Sequence, residues 1–181
     1  MIQRFISLRA GAVPDVILAC QHRPEFFGRA FLAWVDTAVR GRSHWTQAER
    51  ELIAAVVSDR NRCQFCVASH SATAATLLGD SVVERVVRGD LGDPQLPITA
   101  QLRATMLFIE KLTTSPADVG SADIERVLAS GVSEDALRDA IEVCAAFNTI
   151  NRVADALDFE VQSPRSLAFT AKLMTTRGYR A

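Results

Sequence analysis

Apolar side chains recur at helical spacing along almost the whole sequence, and no stretch alternates as a half-buried strand would. That pattern restricts the chain to an all-α fold. In 24–41, Phe27, Phe31, Trp34 and Val35 fall near one stripe, with Pro24 suited to a first turn and Gly41 to a stop. Thr46 and Glu49 form a capping-box pattern at the head of 46–61. The spacing predicts further helices over 63–79, 80–90, 98–116, 121–131, 133–159 and 163–178, with Gly79, Pro116 and Gly131 as stops. The expectation is one helical-bundle domain over 1–181, of about seven to nine helices, without internal repeat or linker.

Composition narrows the classes. Of 181 residues, 49% are apolar and 23% charged, the balance of a soluble globular chain. A chain this long buries a core without covalent staples, so its four cysteines are not needed as clips. A net charge of −1 and a pI near 6.3 give no support for a nucleic-acid or anionic-membrane partner. No stretch approaches the roughly 18 apolar residues of a membrane span. Arg9, Pro14 and Asp15 break the N-terminal segment as a signal peptide. The expected location is the cytoplasm, where structural disulfides are rare and a CxxC is more often catalytic or metal-binding.

Such a CxxC lies in the stretch "NRCQFCVASH", residues 61–70, which holds Cys63, Cys66 and His70. On a helix these three fall within an arc of about 60°. The two Cα atoms of an i,i+3 pair lie roughly 5 to 5.5 Å apart, a distance a disulfide tolerates. Asn61 is expected to cap the helix, which would put Cys63 in its first turn, where the helix dipole with Arg60 and Arg62 favours a thiolate. His70, one turn past Cys66, is placed to accept a thiol proton. The plainer alternative is a pair of small core cysteines beside an ordinary histidine. A structural zinc needs four ligands, and Cys20, Cys144, His22 and His44 are scattered.

On the preceding helix Glu49 is explained by its cap. Glu51 borders the apolar stripe, and two positions stay open for it: solvated, or facing His70 across the helix pair. Asn148, Asn151 and Arg152 read as paired polar residues at a packing seam, with an interface or pocket edge as the alternative. Cys20 and Cys144 read as core, His22 and His44 as boundary residues. Phe27, Phe31 and Trp34 read as core or oligomer contacts.

The segment "ERELIAAVVSDRNRCQFCVASH", within a core of 45–78, closely resembles the motif of the alkyl hydroperoxidase D-like branch of the carboxymuconolactone decarboxylase superfamily, and more narrowly its peroxidase-related proteins. "FLAWVDTAVRG" and "AAFNTINRVADALDF" extend the likeness upstream and downstream. The resemblance implies an all-helical fold and a homo-oligomer built on dimers, such as a trimer or hexamer. It implies a redox dithiol acting on hydroperoxides or on a disulfide partner, with a lipoyl- or thioredoxin-like dithiol as reductant. It places the site on Glu51, Cys63, Cys66 and His70, with Glu51 and His70 as the proton relay. No haem, flavin or metal is required, since the dithiol supplies the electrons. The founding peroxidase carries a histidine just before the second cysteine; Phe65 stands there in this chain, so one proton carrier is lost and the site is more apolar. The decarboxylase branch lacks the cysteine pair, so Cys63 and Cys66 argue against lactone decarboxylation.

Which thiol attacks is pulled two ways: the dipole favours Cys63, nearness to His70 favours Cys66. The resemblance points to the second cysteine, so Cys66 is expected to attack and Cys63 to resolve. A redox-responsive binding or assembly protein without rapid turnover is the alternative function.

Overall fold

The structure, a computed structural model, describes residues 13–179. Part of the N-terminal segment weighed above as a signal peptide, including Arg9, lies outside them. The described residues form helices and no strand: α1 (Asp15–His22), α2 (Arg29–Arg40), α3 (Gln47–Arg60), α4 (Gln64–Leu78), α5 (Asp80–Arg88), α6 (Ala100–Thr114), α7 (Ser121–Ala129), α8 (Glu134–Ala156) and α9 (Pro164–Arg177). A π-helical turn, Pro24–Gly28, joins α1 to α2, and a 3₁₀ turn, Pro116–Asp118, follows α6.

The fold is built around α3. From Arg50 to Ser58 every residue of this helix is buried, so it is packed on all sides. Helices α4, α5, α6 and α8 surround it, and α9 lies across α4. Its start is fixed by the expected capping box: the Glu49 amide donates to Thr46 Oγ1 at 3.2 Å, and the Thr46 amide to Glu49 Oε2 at 2.8 Å. Arg50 spends its charge on backbone, donating through Nη1 to the carbonyls of Ala38 and Gly41.

The sequence pattern runs 24–41 as one helix, and the structure keeps it helical to Arg40 but winds its first turn, Pro24–Gly28, as π-helix, with Gly28 in the α conformation. A Cβ there would lie 1.8 Å from the Cys20 carbonyl oxygen, so only glycine lets α1 cross the head of α2 this closely.

The reversal between α3 and α4 differs from expectation. Asn61 ends α3 rather than capping α4, and Cys63 takes the N-cap position of α4. The Cys63 amide donates to the Ser58 carbonyl at 3.0 Å and the Arg62 amide to Asp59 at 2.9 Å, the paired bonds of a Schellman motif. Arg62 sits at φ 62°, the left-handed position such a motif needs. The Asn61 side chain instead donates to Asn148 Oδ1 at 3.0 Å and Asn151 Oδ1 at 2.9 Å, pinning the turn to α8. Asn151 in turn donates to Ser58 Oγ at 3.1 Å, and the exposed Arg152 donates to Asn148 Oδ1 at 3.3 Å, so all three are paired at this seam. No helix of the described residues is long and apolar enough to cross a membrane.

Candidate active site

The tight α3–α4 turn lays the two helices side by side and brings Glu51 under His70. Glu51 is fully buried, and His70 is 8% exposed. His70 Nδ1 lies 2.7 Å from Glu51 Oε2. Of the two positions open to Glu51 in the sequence, the structure has the one facing His70.

Two further residues, which sequence reasoning did not single out, complete the environment of the carboxylate. Arg40, in the last turn of α2, donates to Glu51 Oε1 in an ion pair. The Tyr179 hydroxyl lies 2.8 Å from Oε1 and 3.1 Å from Oε2 of Glu51, and 3.3 Å from His70 Nδ1. The Arg40 guanidinium also lies over the Tyr179 ring, 5.0 Å from its centre. Tyr179 is the sole tyrosine of the sequence, the one feature that sets it apart there.

Burial alone would raise the Glu51 carboxyl. The hydrogen bond and charge of His70, with the charge of Arg40, outweigh it and hold the group below the ordinary carboxylate value. Burial first, then the neighbouring Glu51 charge, push the Tyr179 phenol well above its usual value, so it stays a proton-bearing donor.

The cysteines lie at the head of α4, Cys63 fully buried and Cys66 2% exposed. They are free thiols, as are Cys20 and Cys144. The hydrogen bond from Cys66 is the largest influence on Cys63 and lowers it; burial and Asp155 oppose this. Cys66 is pushed far up, first because it is the donor to Cys63 and then by burial, with Asn151 bonding it in the opposite sense. The two shifts run in opposite directions, so of the pair Cys63 is the thiol that ionises first. Cys20 and Cys144, raised chiefly by burial, are core residues.

Access points the other way. A cavity of about 100 Å³ opens onto Cys66 and His70. Its walls are apolar, including Phe31 and Val35 of α2, Phe65 of α4, Phe147 of α8, and Leu173 and Met174 of α9. Phe65, at the place of the founding peroxidase's histidine, is buried with its ring edge-on to Phe159, 5.3 Å between centres. The Phe147 ring stands edge-on to His70 at 4.3 Å. Ser69, Thr73, Gln162, Thr170, Arg177 and Tyr179 also border the space. Among the described residues no three metal-ligating side chains converge.

A helical bundle whose central helix offers a buried carboxylate to the histidine of an adjacent CxxC helix defines a class of protein, and the comparisons fit it. The family model for the carboxymuconolactone decarboxylase family matches residues 25–78. A peroxidase-related protein from Silicibacter sp. TM1040 is 29% identical, with a TM-score of 0.79 over 91% of this chain and 85% of its own. A second, described as an alkylhydroperoxidase AhpD core, from Ralstonia eutropha JMP134, is 26% identical, with a TM-score of 0.75 over 94% of this chain and 87% of its own. The debrominase Bmp8 shares the fold at 19% identity, with a TM-score of 0.74 over 94% of this chain and 88% of its own. No curated protein matches the sequence. Residues 25–78 thus resemble the carboxymuconolactone decarboxylase family, and the fold is that of the alkylhydroperoxidase AhpD-like, peroxidase-related structures.

Proposed function

We propose that this protein is a thiol-dependent peroxidase and disulfide oxidoreductase that reduces hydroperoxides through Cys63 and Cys66. The observation that carries the reading is the contact of Glu51 with His70 at 2.7 Å beside a cavity that reaches Cys66. A bare structural dithiol needs neither a buried carboxylate–histidine pair nor an open path to one sulfur.

His70, anchored through Nδ1, presents Nε2 as the base for the Cys66 thiol. The Cys66 thiolate attacks the terminal peroxide oxygen. The O–O bond breaks, the sulfur becomes sulfenic acid, and the departing alkoxide takes the proton from His70 and leaves as alcohol. Cys63 then attacks the Cys66 sulfur; water leaves and a disulfide forms. An external dithiol reduces that disulfide by exchange and is itself oxidised. The homo-oligomer that the resemblance implies belongs to the same reading, and light scattering on the purified protein measures it.

The test is consumption of tert-butyl hydroperoxide with excess dihydrolipoamide by wild type, Cys63→Ser and Cys66→Ser. The expected result is multiple turnovers in wild type and none in either variant, with one stoichiometric oxidation surviving in Cys63→Ser alone. A single oxidation in the wild type, without turnover, would remove the peroxidase and leave a redox-responsive binding protein. A surviving oxidation in Cys66→Ser instead would make Cys63 the attacker.

A further inference from the structure

Glu51 has two carboxylate oxygens and three partners. Arg40 takes Oε1, His70 takes Oε2, and the Tyr179 hydroxyl lies within hydrogen-bond reach of both. A phenol has one proton, and the shorter contact, 2.8 Å to Oε1, is where it points. The phenol oxygen then faces His70 Nδ1 at 3.3 Å as an acceptor. Both neighbours of Nδ1 are thus acceptors, which makes Nδ1 the protonated nitrogen and leaves the Nε2 lone pair for the thiol.

Several contacts hold Tyr179 in this place. Its amide donates to Asp36 Oδ1 at 2.9 Å, and Arg40 Nη2 donates to the Met174 carbonyl at 3.2 Å, tying the end of α9 to α2. The Tyr179 ring stacks on His70 at 6.1 Å between centres with a 20° tilt. The charged and titratable groups around the pair are Arg40 and Asp36 of α2, Arg50 beside Glu51 on α3, Cys66 on α4 and Arg177 at the end of α9. Of these, Arg40 bonds Glu51 directly, Asp36 is engaged by the Tyr179 amide, and Arg50 by backbone carbonyls. The hydroxyl of Tyr179 is the remaining donor to the carboxylate.

We propose that Tyr179 is a positioning residue of this site, whose hydroxyl shares the Glu51 charge and holds His70 with Nδ1 on the carboxylate, leaving Nε2 free to act as the base. The inference rests on the thiol-oxidoreductase reading for its use in catalysis, but its physical content does not. Without the hydroxyl, a buried carboxylate loses one of its donors and draws a proton more strongly onto the Glu51–His70 pair. A protonated pair cannot accept the thiol proton, so the base function would move to higher pH.

The experiment is ¹⁵N NMR titration of the three histidines, with His70→Gln for assignment, in wild type, Tyr179→Phe and Tyr179→Leu. It is run beside the pH dependence of Cys66 alkylation by iodoacetamide and of hydroperoxide turnover. In Tyr179→Phe the titration midpoint of the pair rises by about one pH unit, the size of one hydrogen bond to a charged group. Alkylation and turnover at neutral pH fall about tenfold and recover as pH is raised. Phenylalanine keeps the ring, so Tyr179→Phe and Tyr179→Leu should shift alike. An unmoved midpoint with a uniform loss of rate, or a Phe variant behaving as wild type while Leu fails, would reduce Tyr179 to packing and overturn the inference. A shifted midpoint in a protein that turns over no hydroperoxide would uphold the inference and sink the peroxidase reading instead.

Discussion

At the scale of single residues the site is organised by one buried charge. Glu51 is held below its ordinary value in the fold, so its contribution to stability is fully present above the unfolded carboxylate value of about 4.3. That contribution is lost as pH falls through the lower folded value. Glu51→Gln also leaves Arg40, with only 13% of its side chain exposed, without its counter-charge. The expected cost near neutral pH is about 3 kcal/mol, as for other half-broken buried pairs. Urea denaturation of both proteins at neutral and acid pH should show the gap narrowing below about pH 4; a gap that stays constant with pH would mean that the Glu51 charge adds nothing to the fold. The legibility of this site varied with distance along the chain. Cys63, Cys66 and His70 stand out in the sequence because a turn of helix carries all three. Glu51 needed the family motif, since helix periodicity left it on the border of a stripe. Arg40 and Tyr179, 11 and 128 residues from Glu51, carry no local signal, because their roles come entirely from how α2 and the end of α9 pack.

At the scale of elements, propensity and capping rules located every long helix, and their errors fall where two rules compete. Asn61 satisfies the composition of an N-cap equally well as the end of the previous helix, and tertiary pairing with Asn148 and Asn151 decides for the latter. The consequence is that Cys63 lies at the cap and Cys66 in the first turn, each two positions nearer the helix N-terminus than the sequence suggested. The same turn stores strain beside the dithiol, since Arg62 takes the left-handed conformation usually left to glycine. A β-branched residue tolerates that conformation least. Arg62→Val should therefore lower stability by about 1 to 2 kcal/mol beyond Arg62→Gly, read by chemical denaturation at one pH. Equal stabilities would mean that the turn relaxes freely and that the motif does not fix the register of α4 against α3. The π-helical opening of the first predicted helix escaped the sequence for a related reason: only the approach of the Cys20 carbonyl shows that Gly28 serves a crossing.

At the scale of the whole molecule, the dithiol is enclosed by the last helix laid across the first half of the chain. The all-α class was legible from periodicity alone, but the enclosure was not, because nothing local in 163–178 says that it covers α4. The enclosure depends on the chain's final turn. Gly178 has φ 73°, and a Cβ there would lie 2.6 Å from Asp36 Oδ1, the atom that receives the Tyr179 amide. Gly178→Ala combines an unfavourable conformation with a clash against the anchor, so the turn must shift, and Tyr179 with it. Cys20 and Cys144 are also buried free cysteines and serve as internal references. The bulky disulfide reagent DTNB should react with the native wild-type dithiol much more slowly than iodoacetamide does, since the cavity of about 100 Å³ admits the smaller reagent more easily. In Gly178→Ala the DTNB rate at Cys63 and Cys66, resolved by mass spectrometry, should rise about tenfold, as expected if about 1.4 kcal/mol of closing energy is lost. Cys20 and Cys144 should stay unreactive until urea unfolds the protein. Acceleration at all four cysteines would signal general loosening instead of release of the last turn, and no acceleration at any would place the path to Cys66 away from α9.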